Sequence, residues 1–217
     1  MKLPERIRLA NLPTRIDELK RFNEKYKRPG GPKVYIKRDD LSGMETSGNK
    51  IRKLEYCVKD ALNQGCTCLI TCGAVQSNHC RATAAVAASL GLKACLVLGG
   101  DPDAAPDGNY LLDRLLGAEI HIIDPERFDD RDEIMRKLAG EIADKGGKAY
   151  VIPAGASNGI GVFGYYTAME EILKQEKEMG VHFDCIVVTA GSAGTYSGLY
   201  MANRIEKNDA DIIGFSV

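Results

Sequence analysis

The chain has almost no net charge and no long apolar run, and both absences narrow what it can be. Its 29 lysines and arginines nearly balance 30 aspartates and glutamates, so no overall field draws it to nucleic acid or to an anionic membrane. A small molecule is the expected partner. Pro4 and the charges of Lys2, Glu5 and Arg6 interrupt the first residues too soon for a secretory leader, and no later stretch approaches a membrane span. The expected location is the cytoplasm. Internal repeats and low-complexity linkers are also missing, and a length of 217 residues fits one large domain or two small ones.

Paired CxxC spacing is absent too. The seven cysteines, Cys57, Cys66, Cys68, Cys72, Cys80, Cys95 and Cys185, are odd in number and lie mostly inside apolar segments. They read as reduced thiols that pack as small hydrophobes rather than as a disulfide framework. Cys66, Cys68, Cys72 and His79 could be imagined as a metal set, but Cys68 and Cys72 fall on a predicted buried strand, and no metal is expected.

What is present is an alternation of short apolar runs with longer amphipathic stretches, the pattern of parallel strands joined by crossover helices in an α/β protein. Strands are predicted at Val34 to Lys37, Cys68 to Cys72, Ala94 to Leu98, Glu119 to Ile123, Ala149 to Ile152, Cys185 to Thr189 and Ile212 to Phe215. The clearest helices are Ile51 to Gln64, Asn78 to Leu90, Gly108 to Leu116, Asp132 to Lys145, Ile160 to Met179 and Gly194 to Glu206. Gly91, Gly117, Gly146 and Gly180 follow the last apolar turns of four of these, where a left-handed residue ends a helix. The segment from Gly99 to Asn109, with its prolines and aspartates, reads as a solvated connection.

Three places carry chemistry. Lys50 follows Ser47, Gly48 and Asn49, a turn and cap, and opens the stripe Ile51, Leu54, Val58, Leu62. The positive end of a helix dipole disfavours an ammonium there, so a partly desolvated Lys50 is suited to forming an imine with a carbonyl. The plain alternative is a solvated lysine in a first turn. The strand ending at Cys72 leads through Gly73 to Ser77, Asn78 and His79 into an alanine-rich helix, whose first N–H groups can hold a carboxylate; equally, Ser77 or Asn78 simply caps the helix. The strand at Cys185 to Thr189 runs into Ala190, Gly191, Ser192, Ala193, Gly194 and Thr195. Its backbone amides can approach a phosphate, helped by the hydroxyls of Ser192 and Thr195 and the dipole of the next helix. The spacing misses both GxGxxG and GxxxxGK[ST], and a turn needing glycine for geometry alone is the alternative.

A helix-start lysine, an anion loop and a phosphate-sized glycine loop together describe a site for a phosphorylated aldehyde, with pyridoxal phosphate the candidate cofactor. The stretch Lys37, Asp39, Asp40, Leu41, Ser42, Gly43, then Ser47 to Lys50, Arg52, Lys53, Leu54 and Glu55 resembles the D-cysteine desulfhydrase and 1-aminocyclopropane-1-carboxylate deaminase family. So do Gln76 to His79, the set Pro153, Gly155, Ser157, Asn158, Gly159, Gly161, Gly164 and Tyr165, and the Gly191 to Gly198 loop, in family order over nearly the whole chain.

The resemblance implies a tryptophan-synthase-β-like fold (fold type II) with two parallel-sheet domains: residues 1–54 and 154–217 in the larger, 55–153 in a smaller insert, and the cofactor between them. By the same resemblance Lys50 joins the cofactor's aldehyde, Ala190 to Thr195 cup its phosphate, and Asn78 bonds its phenolic oxygen. Ser77, Asn78 and His79 hold the substrate carboxylate, with Ser77 near the reacting carbon, and the protein is a homodimer. Family members continue beyond the point matching Val217, so the larger domain is expected to be incomplete at its C-terminal side.

The expected reaction is β-elimination from a D-amino acid, D-cysteine foremost, giving pyruvate, ammonia and sulfide. Its rivals are deamination of 1-aminocyclopropane-1-carboxylate, a non-catalytic remnant that binds the cofactor or an anion, and a phosphate-binding protein that does not use pyridoxal.

Overall fold

The computed structural model describes residues 2–43 and 45–217. Its centre is a parallel sheet in the order β5-β4-β3-β6, made of β3 (Cys68–Ala74), β4 (Lys93–Gly99), β5 (Glu119–Ile123) and β6 (Ala149–Val151). In β3 and β4 the side-chain period of two splits one continuous apolar run between two layers. Leu69, Ala94, Leu96 and Leu98 face one core with α2 (Lys50–Asn63) and α3 (Asn78–Ser89). Cys68, Ile70, Cys72, Cys95 and Val97 face another with Met135 and Leu138 of α5 (Arg131–Asp144). Helix α4 (Gly108–Leu115) packs on α3.

A second parallel pair, β7 (Cys185–Ala190) with β8 (Asp211–Ser216), lies against α6 (Phe163–Met179) and α7 (Gly194–Ile205), with Ile186, Val188 and Ile212 entering a core built on Tyr166, Met169 and Leu199. The predicted strand near Val34 forms as β2 (Tyr35–Lys37), but it pairs antiparallel with β1 (Ile16–Glu18), a strand the sequence pattern does not announce. A short α1 (Lys20–Lys25) lies between them. Helix α6 begins later than its periodicity suggests, because residues 154–161 are spent on a tight turn through Gly155.

The glycine stops hold: Gly91, Gly117, Gly146 and Gly180 all have φ between 63° and 78°. All seven cysteines are free, and six are buried. Cys66 packs in the α3-side core and Cys68 and Cys72 in the α5-side core, so the imagined metal set is not gathered. Among the described residues no helix is long and apolar enough to cross a membrane.

Candidate active site

The first turn of α2 is held from beneath by a buried ionic network. The Arg52 guanidinium, 1% exposed, donates to Asp39 at 2.8 and 2.9 Å, to Glu171 at 3.1 Å and to Thr14 at 3.0 Å. Lys37 donates to Glu171 from the other side, and Tyr165 donates its hydroxyl to Asp39 at 2.5 Å. Burial opposes the charge on Asp39 and Glu171, yet the bonds from Arg52 hold both carboxyls below their ordinary range. Helix α6 crosses α2 so closely that a Cβ on Gly164 would stand 2.4 Å from the Arg52 carbonyl.

On this base Lys50 is half-buried, and desolvation lowers its pKa. Asn49 sits at the N-cap position but does not cap, which corrects the sequence expectation. Its amide bridges two site elements instead: Oδ1 accepts from Lys50 Nζ at 3.0 Å, and Nδ2 donates to Thr195 Oγ1 at 2.9 Å. The lysine is therefore tied, through one side chain, to the start of α7.

Lys53, one turn along the same helix face, is a site residue that sequence reasoning passed over. It is 1% exposed, and its Nζ donates to Ser157 Oγ at 3.2 Å; Ser157 in turn bonds Ser192 Oγ at 2.8 Å. Desolvation, then repulsion from Lys50, pulls its pKa down to about 7. Among the described residues no carboxylate pairs with Lys50 or Lys53.

The glycine loop is shaped by the turn opposite. A Cβ on Gly155 (φ 66°) would stand 2.4 Å from Ser192 Oγ, and one on Gly194 would stand 2.3 Å from Ser157 Oγ. Glycine at these two places lets the turns touch. Ala193 adopts φ 58°, and Gly191, Ser192 and Ala193 are exposed while Gly194 and Thr195 are buried. The first-turn N–H groups of α7 have no carbonyl partner within the helix itself.

At the head of α3, Ser77 caps the helix by accepting from the Cys80 N–H at 3.2 Å. Asn78 is exposed, and its Oδ1 accepts from Asn109 at 3.0 Å. His79 follows in the first turn of α3. Its imidazole is 2% exposed, and Nε2 lies 2.8 Å from Thr71 Oγ1. The Thr71 hydroxyl donates to the Ile152 carbonyl, so Nε2 carries the proton. Burial, then the charges of Lys53 and Lys50, push the His79 pKa down to about 3, so the ring is neutral. A neutral buried ring is no carboxylate clamp; only the main-chain N–H of His79, in the first helical turn, is left for that task.

Arg81 joins α3 to the lysine loop by donating to the Ser47 carbonyl at 3.1 Å. The structure thus brings Lys50 and the Ala190 to Thr195 loop together through Asn49 and Thr195, and it sets the α3 start beside the Lys50 turn. Among the described residues no hydrogen bond joins Ser77 to Lys50. A cavity of about 610 Å³, lined by Arg6, Glu55, Tyr56, Glu170 and Glu171, contains neither Lys50 nor Lys53 nor any residue of the Ser77 to His79 and Ala190 to Thr195 segments.

The chain is similar to known proteins over most of its length. A family profile described as "Pyridoxal-phosphate dependent enzyme" covers residues 7–217. The chain is 37% identical over 217 residues to the "D-cysteine desulfhydrase" of Serratia proteamaculans, covering 98% of this chain and 64% of that protein. It is 40% identical over 198 residues to the Arabidopsis thaliana "Bifunctional D-cysteine desulfhydrase/1-aminocyclopropane-1-carboxylate deaminase, mitochondrial", covering 87% and 49%. A crystal structure titled as an "ACC deaminase homologue" superposes with a TM-score of 0.90 at 42% identity, over 99% of this chain and 63% of that one. The chain spans about half to two thirds of the length of the curated relatives it matches.

Proposed function

Because the chain belongs to the pyridoxal-phosphate dependent enzyme family, we propose that it holds pyridoxal phosphate between Lys50 and the Ala190 to Thr195 loop and catalyses elimination from a small amino acid, D-cysteine foremost. The observation that carries this reading is a pair of amines, Lys50 and Lys53, with no carboxylate partner among the described residues, each tied to the glycine loop, one through Asn49 and Thr195 and the other through Ser157 and Ser192. Two unneutralised amines beside a concave row of backbone donors suit a dianionic phosphate and an aldehyde.

Lys50, desolvated and therefore more readily neutral, is the amine that would carry the cofactor through its aldehyde. Lys53 and the first-turn N–H groups of α7 hold the phosphate, with Ser192 and Thr195 adding hydroxyl donors. Ser77 and the first-turn N–H groups of Asn78 and His79 would hold the substrate carboxylate, and the Asn78 amide would serve the phenolic oxygen. When bound, pyridoxal phosphate supplies an electron sink for the negative charge left at the substrate α-carbon. Lys50 Nζ would be the base that takes the substrate α-proton, with the β-sulfur as the leaving group. Hydrolysis of the remaining three-carbon unit yields pyruvate and ammonia beside sulfide. Residues 55–153 are taken as the inserted domain, since all four strands of the central sheet come from them, with 1–54 and 154–217 as the larger unit.

A second substrate, 1-aminocyclopropane-1-carboxylate, is favoured by the names of the deaminase relatives. Its α-carbon bears no proton, so Lys50 would have none to remove and a ring bond must break first.

The test is to add pyridoxal phosphate, reduce with borohydride and locate the label by mass analysis. It is expected on Lys50, and the Lys50→Ala variant should lose both the cofactor absorbance and all turnover. Sulfide and pyruvate from D-cysteine, against 2-oxobutanoate from the cyclopropane substrate, separate the two activities. Cofactor carried on another lysine, or a Lys50→Ala protein that still turns over, would overturn the assignment.

A further inference from the structure

We propose that Asn109, at the start of α4, is a positioning residue that locks the Asn78 amide with its NH2 group presented as a donor; this rests on the cofactor reading above, in which Asn78 meets the phenolic oxygen. Both ends of an amide look alike in shape, so each orientation must come from a neighbour of fixed polarity.

The chain of such neighbours starts at Asp107, whose carboxylate accepts the Gln76 Nε2 at 2.6 Å. Gln76 Oε1 is thereby turned to the Asn109 main-chain N–H, which can only donate, at 2.8 Å. The Asn109 Nδ2 lies 2.8 Å from the Gln76 main-chain carbonyl, which can only accept, so that end of Asn109 is its NH2 group. The Asn78 atom 3.0 Å from the same Nδ2 must then be Oδ1. Every member is oriented, and the Asn78 Nδ2 is left free.

Gly108 makes the approach feasible: at φ 47°, a Cβ there would stand 2.5 Å from Gln76 Oε1. The 99–109 segment is thus more than a solvated connection. It sets which end of Asn78 an incoming oxyanion meets. A donor there forms a charge-assisted hydrogen bond, whereas a reversed amide would turn a carbonyl oxygen onto the phenolate.

The Asn109→Asp substitution keeps the shape and inverts the polarity, inviting the Asn78 NH2 to turn back toward α4. Cofactor affinity by titration should fall about tenfold or more, and the absorbance of the Lys50-bound cofactor should shift. In an Asn78→Ala background the same substitution should cost nothing further, a non-additivity that a merely structural role would not produce. Asp107→Ala, at an exposed position, should shift affinity and absorbance in the same direction by less, and it carries the test if Asn109→Asp fails to fold. Wild-type absorbance that depends on Lys50, but is matched by both variants, would overturn this inference alone, as would full additivity with Asn78→Ala. No Lys50-dependent absorbance in the wild type would remove the cofactor reading and this one with it.

Discussion

Replacing Lys53 with methionine should stabilise the free protein and weaken its grip on phosphate, two effects of opposite sign from one side chain. In the folded chain the Lys53 pKa is about 7, against the 10.5 of an ordinary lysine. The unfolded chain thus binds the proton more tightly than the folded one. Folding is unaffected by this group at high pH, loses about 1.4 kcal/mol for each unit as pH falls from 10.5 toward 7, and is about 4 kcal/mol worse off at pH 7 and about 5 well below it. Lys53→Met keeps the stem and removes the amine, so cofactor-free stability at pH 7 should rise by about 2–4 kcal/mol, with the gain shrinking toward pH 10. The lost charge-assisted contact with a phosphate is worth about 1.5–3 kcal/mol, or about ten- to 150-fold in Kd. Urea denaturation at pH 7 and 9.5 measures the first effect. Titration with pyridoxine 5′-phosphate, which has the phosphate but not the aldehyde, measures the second without interference from Lys50. A variant less stable than wild type at pH 7, or one that binds the phosphate equally well, would refute the assignment of Lys53 as an unpaired amine held for an anion.

Arg52→Met should cost about 3–5 kcal/mol in urea denaturation, because it strips the one fully buried cation from two half-buried carboxylates, Asp39 and Glu171. Both carboxyls are held low in the native protein, so their contribution is present above their unfolded pKa values and lost as pH falls. In the variant their pKa values rise, and acid unfolding monitored by circular dichroism should begin at higher pH. Gly155→Ala forces a side chain into a left-handed position with Ser192 2.4 Å away; the strain of about 1–2 kcal/mol should leave the fold intact. Displacement of Ser192 from Ser157 should still raise the Kd for pyridoxine 5′-phosphate severalfold in the same titration.

Much of the architecture is legible locally. The run from Cys68 to Cys72 could only be a strand buried on both faces, and the glycines at 91, 117, 146 and 180 end helices by a conformation that residue type largely dictates. The positions of Lys50, of the Ser77 cap and of the glycine loop follow from the same short-range grammar of strand, turn and helix start. The β1–β2 pairing does not, since three-residue strands joined across a long connection carry almost no periodic signal and form by meeting each other.

The α/β alternation, the helix ends and the two strand-to-helix loops at Ser77 and Ser192 were written in the sequence alone, because those depend on backbone preferences and on apolar spacing within a dozen residues. Only the tertiary structure decided which polar groups lose water and what they meet. Lys53 reads as one more charge on an amphipathic helix until packing leaves it 1% exposed beside Ser157. His79 reads as a loop ligand until the sheet buries its ring on Thr71, and the orientation of the Asn78 amide is set by Asn109, 31 residues away along the chain. Desolvation and hydrogen-bond polarity belong to the assembled surroundings, so no local pattern could have carried them.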